Sequence, residues 1–180
     1  MTSGCGRLIQ GVFDGVCEWQ KMQTAEIMKR AAEKIQMSHA TCFATPNPAI
    51  LISVIEEGSR TTDSDMAERW ANLLASEFIH GGVHPEIPRI LARLTKAEAQ
   101  MLSVIAAAPA DGNAQFRSDS VQHDILAAYR LIDAKDNEGW KLTNLGHAFV
   151  AAVTMHADTK HDLMFPVGGV RLSGRGGGGI

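Results

Sequence analysis

Two histidines four residues apart, His80 and His84, form the most metal-like spacing in the chain. On one continuous helix such a pair can aim both imidazoles at a single zinc ion. Gly81 and Gly82 interrupt that helix, however, no glutamate follows His80, and no third ligand stands at a matching distance. The segment therefore reads as a helix-end cap followed by a loop histidine. His39 with Cys42 is a second two-ligand fragment without its other half, and His156 and His161 straddle a helix end with no partner spacing. Asp63, Asp65 and Glu68 have the chemistry to chelate magnesium, but the same positions suit the start of a helix, where acidic side chains meet orphan amides and the positive end of the dipole. Capping is the stronger reading. The sequence contains no GxSxG elbow, GxxxxGK[ST] loop, GxGxxG fingerprint or HExxH helix. No catalytic residue, metal ligand or cofactor is assigned, and an enzyme is the less favoured reading.

A nucleic-acid interface has a more definite candidate set. The C-terminal part presents a helix, loop, helix, hairpin, helix order, which is that of a winged-helix-like unit whose recognition helix, about residues 119–130, enters the major groove. The groups that could touch DNA there are Arg117, Gln122, His123 and Arg130, with Lys135 and Lys141 in the hairpin. Charge argues against it. Residues 95–165 carry six Lys or Arg against nine Asp or Glu, and the whole chain has a net charge of −3. Non-specific nucleic-acid affinity comes mainly from cations that neutralise phosphates. A protein contact is the better use of such a unit.

These residues are positioned by a series of amphipathic helices. Trp19, Met22, Met28, Ala32 and Ile35 recur at helical spacing among charged residues, which predicts a helix from Trp19 to about Ser38. Pro46-Asn47-Pro48 starts a short helix bearing Leu51, Val54 and Ile55 that stops at Gly58. Thr61-Thr62-Asp63-Ser64-Asp65 supplies caps for the clearest helix, with the stripe Met66, Trp70, Leu73, Leu74 and Phe78, ended by Gly81-Gly82. Pro85 opens a helix with Ile87, Ile90, Leu91 and Leu94. Thr95 and Glu98 then form a capping box for one continuing through Leu102 and Ile105.

Pro109 to Asn113 reads as a loop between subregions. Val121, Ile125, Leu126 and Tyr129 are placed on one side of the next helix. Leu131-Ile132 and Trp140-Lys141-Leu142 flank a polar turn as a β-hairpin, and Thr143 caps a last helix with Leu145, Phe149, Val150 and Val153 inward. The fold class is mainly α: a helical-bundle lobe followed by a winged-helix-like lobe with one small hairpin. The division expected is an arm at 1–18, a helical lobe at 19–94, a winged-helix-like lobe at 95–165 and a disordered Gly-rich tail at 166–180.

At 180 residues, with 45% hydrophobic and 21% charged residues, the chain has enough material for one shared core. Three cysteines without a CxxC pair fit reduced thiols better than a disulfide framework. No run approaches the ~18 uninterrupted apolar residues of a membrane span. The apolar stretch at 8–17 is broken by Gln10 and Asp14, and Gly11 and Gly15 read as part of a loosely packed amphipathic arm rather than a membrane contact. A cytoplasmic location is expected. The arginines among the tail glycines read as an incidental terminus rather than an RNA-binding segment.

The run from Pro48-Ala49-Ile50-Leu51 through Glu56-Glu57-Gly58-Ser59 to Asp63-Ser64-Asp65-Met66-Ala67-Glu68-Arg69-Trp70-Ala71-Asn72-Leu73-Leu74-Ala75-Ser76 resembles the Abi-alpha (abortive-infection alpha) family. The likeness continues through His84-Pro85, Ile90-Leu91-Ala92-Arg93-Leu94-Thr95, Tyr129-Arg130-Leu131-Ile132 and Leu142-Thr143-Asn144-Leu145-Gly146, covering about residues 46–150. The resemblance implies a bacterial protein associated with phage defence. It brings no catalytic residues with it. It is a role without a mechanism; the expectation is a non-enzymatic protein acting through a protein partner or self-association, with a winged-helix DNA-binding transcriptional regulator as the alternative.

Overall fold

The structure, a computed structural model, describes residues 4–38, 44–107, 121–135 and 139–154. The loop at 109–113, Arg117 and the glycine-rich tail lie outside the described residues. Helix α1 spans Gly4–Met37, so the helix expected from Trp19 runs back without a break through the segment expected as an arm. Ile27 and Ala31, one helical turn apart, are buried, and Met28 and Ile35 pack beside them. Spacing of three and four residues puts these on one stripe, leaving the charged residues outside.

Helix α2 (Pro48–Ser53) begins with a proline at its first position, where a missing N–H costs nothing, and Asn47 caps it by accepting from the Ala49 N–H at 2.9 Å. It passes directly into a π-helical turn, Val54–Gly58, that brings the chain over the central helix. That helix, α3 (Ser64–Ile79), buries Met66, Trp70, Leu73 and Leu74, and also Ala67, Ala71 and Ala75. A helix apolar around most of its circumference is a core helix. Both α1 and the last helix pack on it.

Helix α4 (Glu86–Leu91) buries Ile87, Ile90 and Leu91, then turns, so Leu94 is buried beyond its end. Helix α5 (Lys96–Ala107) starts at the expected capping box. The Thr95 N–H donates to Glu98 Oε2 at 2.6 Å, and the Glu98 N–H donates to Thr95 Oγ1 at 3.4 Å.

Helix α6 (Val121–Ala128) has a different inner face from the expected one. His123 and Leu126, three apart, are fully buried, while Val121 is 69% exposed. The stripe is rotated because His123, rather than Val121, sits against the hairpin. Strands β1 (Ile132–Lys135) and β2 (Gly139–Leu142) pair antiparallel, Ile132 opposite Leu142 and Asp133 opposite Lys141. Helix α7 (Asn144–Val153) is capped by Thr143, whose hydroxyl accepts from the Gly146 N–H at 3.0 Å and donates to the Arg130 carbonyl at 2.5 Å. Gly146 has no substitute, since a Cβ there would lie 2.0 Å from the Leu131 carbonyl oxygen. The protein is thus mainly α with one two-stranded sheet, and a single cluster of buried side chains runs from Ile27 through Trp70 and Leu102 to Leu126, Phe149 and Val153. No described helix is long and apolar enough to cross a membrane.

Candidate functional site

The acidic residues at the start of α3 are engaged in holding helices together. Asp63 Oδ1 accepts from the backbone N–H groups of Asp65 (2.8 Å) and Met66 (3.1 Å), which caps the helix. Its Oδ2 meets Lys96 Nζ at 3.2 Å, and Asp65 Oδ2 meets the same ammonium at 2.6 Å. One turn on, Glu68 pairs with Lys34 and, at 3.5 Å, with Arg30. Arg30 also binds Glu26 at 2.8 Å and reaches the Ser64 carbonyl at 3.3 Å. Hydrogen bonding to Lys96, joined by the two backbone N–H groups, holds the Asp63 carboxyl below its ordinary range. Hydrogen bonds to Asp65 and Asp63 raise Lys96 in turn. All three carboxylates already have cations, and a magnesium site would need those same oxygens.

The histidine pair is parted by its glycines. His80 ends α3 and is exposed, and Gly81 and Gly82 then adopt φ of +67° and +70°, the left-handed region glycine enters freely. His84 lies exposed beyond them, its Nδ1 accepting from the Glu86 N–H at 3.2 Å. Among the described residues no three His, Cys, Asp or Glu side chains gather as a metal site would need, and His39, Cys42, His156 and His161 lie outside them.

One acid that sequence reasoning passed over sits directly beneath this loop. Glu77, 1% exposed, accepts from the Asn47 N–H at 2.8 Å through Oε1 and from the Val83 N–H at 2.9 Å through Oε2. It ties the approach to α2 and the loop after α3 to one helix end. The signal was available: position 77 continues the 66, 70, 73 stripe, and a carboxylate on a buried stripe needs internal donors.

Of the six candidate nucleic-acid contacts, Gln122, His123, Arg130 and Lys141 have described side chains. Gln122 is half-buried on α6. His123 is fully buried, its ring stacked on Trp140 with centroids 5.0 Å apart and planes 16° apart, so the structure corrects its placement on a groove-facing surface. Lys141 is exposed on β2, Lys135 stands opposite Gly139 in the register, and Arg117 is outside the described residues.

Arg130 is exposed and has φ of 58°, alone among the described non-glycine residues in being left-handed. It occupies the residue after the α6 cap. Its N–H donates to the Ala127 carbonyl at 2.8 Å, and the Leu131 N–H donates to the Leu126 carbonyl at 3.0 Å, the paired bonds of a Schellman ending. Glycine is favoured there, and a side chain costs on the order of 1 kcal/mol or more. A cation at a helix C-terminus returns about 0.3–1 kcal/mol, which does not clearly exceed that cost.

Arg130 lines a cleft of about 370 Å³ together with Glu86, Arg89, Arg93, Tyr129, Ile90 and Leu145. Arg89 is paired with Glu86 at 2.7 Å, whereas Arg93 and Arg130 have no ion-pair partner among the described residues. A second cleft, about 340 Å³, is bordered by Arg69, Asn72, Gln100 and Thr154. Asn72 Nδ2 donates to the Val153 carbonyl at 2.9 Å, joining α3 to the end of α7, and its buried Oδ1 has no partner among the described residues. Burial pushes the Arg69 guanidinium below its ordinary value, and Arg69 donates to Ser103 Oγ at 3.2 Å.

Fold and site define a mainly helical protein with an internally paired acidic cluster and a small arginine-lined cleft. The chain belongs to the Abortive infection alpha family, which it matches over residues 20–121. Membership associates it with abortive infection, a phage-defence response. The match begins in α1 and closes at the first residue of α6, so Leu142–Gly146, part of the resemblance read from the sequence, lies beyond it. No curated protein and no solved structure matches the chain.

Proposed function

We propose that the chain acts in phage defence by contacting a protein partner or further copies of itself, in the cytoplasm, and not by catalysis. The observation that carries this reading is the apolar surface left on α1 and the segment it adjoins. Met22 and Met37 are 63% and 68% exposed on a helix that already buries Ile27 and Ala31, and Ile52 and Ile55 are 53% and 44% exposed on the α2 and π-helical segment. These side chains give α1, and the π-helical turn packed against it with the helix before that turn, apolar surface that a partner would cover. An odd set of cysteines, with an exposed free thiol at Cys17, supports a reducing compartment. Light scattering tests the contact. The expected result is a mass above the 19.4 kDa of one chain that falls to one chain in Met22→Glu; a single-chain mass at every concentration, with no change on substitution, contradicts self-association.

A winged-helix DNA-binding regulator is the second reading, favoured by the order α5, α6, hairpin, α7. Local acidity and the burial of His123 weigh against it. It predicts duplex binding that weakens steeply with salt, and no binding at low ionic strength eliminates it.

A further inference from the structure

We propose that the cleft between α4 and the turn after α6 binds a small phosphate-bearing molecule, of the size and kind of a mononucleotide. The inference does not depend on the contact surface argued above. Arg89, Arg93 and Arg130 line one cleft together with Glu86; Glu86 is taken up by Arg89 at 2.7 Å, which leaves Arg93 and Arg130 without an ion-pair partner among the described residues. A guanidinium presents a planar fork of N–H donors that matches phosphate oxygens two at a time, which makes arginine the apt residue for this group.

The other walls suit a ring. Ile90 is buried, and Leu145 and Tyr129 are half-buried, so the cleft has apolar and aromatic surface beside its cations. A volume of about 370 Å³ is that of a small-molecule site and too small for a duplex or a folded partner. In a chain of net charge −3 this is a local positive region, where the field favours an anion.

Helix ends attract cations by themselves, and α4 and α6 both end here. That accounts for one arginine at each end. The α4 end carries two, and Arg130 occupies a left-handed position where glycine would sit with less strain. A position that glycine would fill with less strain thus carries an arginine, and that arginine lines the cleft.

Calorimetric titration of the full chain with AMP, adenosine and inorganic phosphate tests the proposal, with circular dichroism confirming the fold of each variant. AMP is expected to bind more tightly than inorganic phosphate, and adenosine more weakly than AMP by roughly tenfold or more, since it lacks the charge-assisted bonds. Arg130→Gly should remain folded and lose AMP affinity by roughly tenfold or more, as should Arg93→Gln. Arg60→Gln, which removes an exposed arginine paired with Glu57 away from the cleft, should bind as the unaltered chain does. No heat with millimolar AMP, equal binding of AMP and adenosine, or unchanged affinity in both cleft variants overturns the proposal. Equal binding of AMP and inorganic phosphate overturns its nucleotide part.

Discussion

Two charged regions of this protein use their ions differently. Where α1, α3 and α5 meet, Asp63, Asp65 and Glu68 are all matched by Lys96, Lys34 or Arg30, and the pairs join three helices. In the cleft between α4 and the α6 turn, two of three arginines have no such match among the described residues. Charges closed on one another orient elements and leave little for a ligand. Charges left open around a hollow can still take up an anion from outside. The sequence reads the acidic cluster first as helix capping, and the structure adds the ion pairs that tie that cap to its neighbours.

The largest effect is expected at the other end of α3, where Glu77 is closed on two backbone N–H groups rather than on cations. Glu77→Ala strands two backbone donors in the interior and should cost about 2–4 kcal/mol in urea denaturation, with Glu77→Gln recovering part of it by keeping one acceptor. A loss under about 0.5 kcal/mol, the range of ordinary surface changes, would show that the two loops do not depend on it. At the open region the sign reverses. Arg130→Gly relieves a left-handed side chain but gives up a cation at a helix C-terminus worth about 0.3–1 kcal/mol, so it should raise stability by at most about 1 kcal/mol in the same measurement.

Lys96→Met should lower the melting temperature slightly by releasing α5 from Asp63 and Asp65, and the difference should shrink in about 1 M salt, where the screening length is only about 3 Å. Acid sharpens this test. Asp63 is depressed in the folded state, so its contribution is present above its unfolded value of about 3.9 and fades as pH falls through the lower folded value. Lys96 is raised, so its contribution is present below about 10.4 and is lost only as pH climbs through the higher folded value. The melting temperatures of Lys96→Met and the unaltered chain should therefore converge below about pH 4. Arg93→Gln has the smallest expected effect, within about 0.5 kcal/mol of the unaltered chain, because that arginine is exposed and has no ion pair among the described residues.

The sequence made local features legible wherever the signal and its answer lay within a few residues. The Asp63 cap, the Thr95 and Glu98 box, the Trp70 stripe, the hairpin and the Thr143 cap all have donor and acceptor, or face and spacing, within one or two turns. What stayed hidden depends on distant partners. Asn72 reaches Val153, Glu77 reaches back to Asn47, and Gly146 is set by the carbonyl of Leu131. His123 was misplaced for the same reason, since only the return of β2 brings Trp140 beneath its ring. The arginine cleft was invisible because Arg89 and Arg93 are some forty residues from Arg130 in the chain and meet only through the shared core.

The central claim, a phage-defence role exercised through an apolar contact surface, is tested most directly by plating efficiency. A panel of phages is plated on cells expressing the unaltered chain, the Met22→Glu variant at equal protein level, or neither. The account predicts fewer plaques, or death of infected cells, with the unaltered chain and restored plating with the variant. Equal plating on all three, with no toxicity on expression, contradicts it.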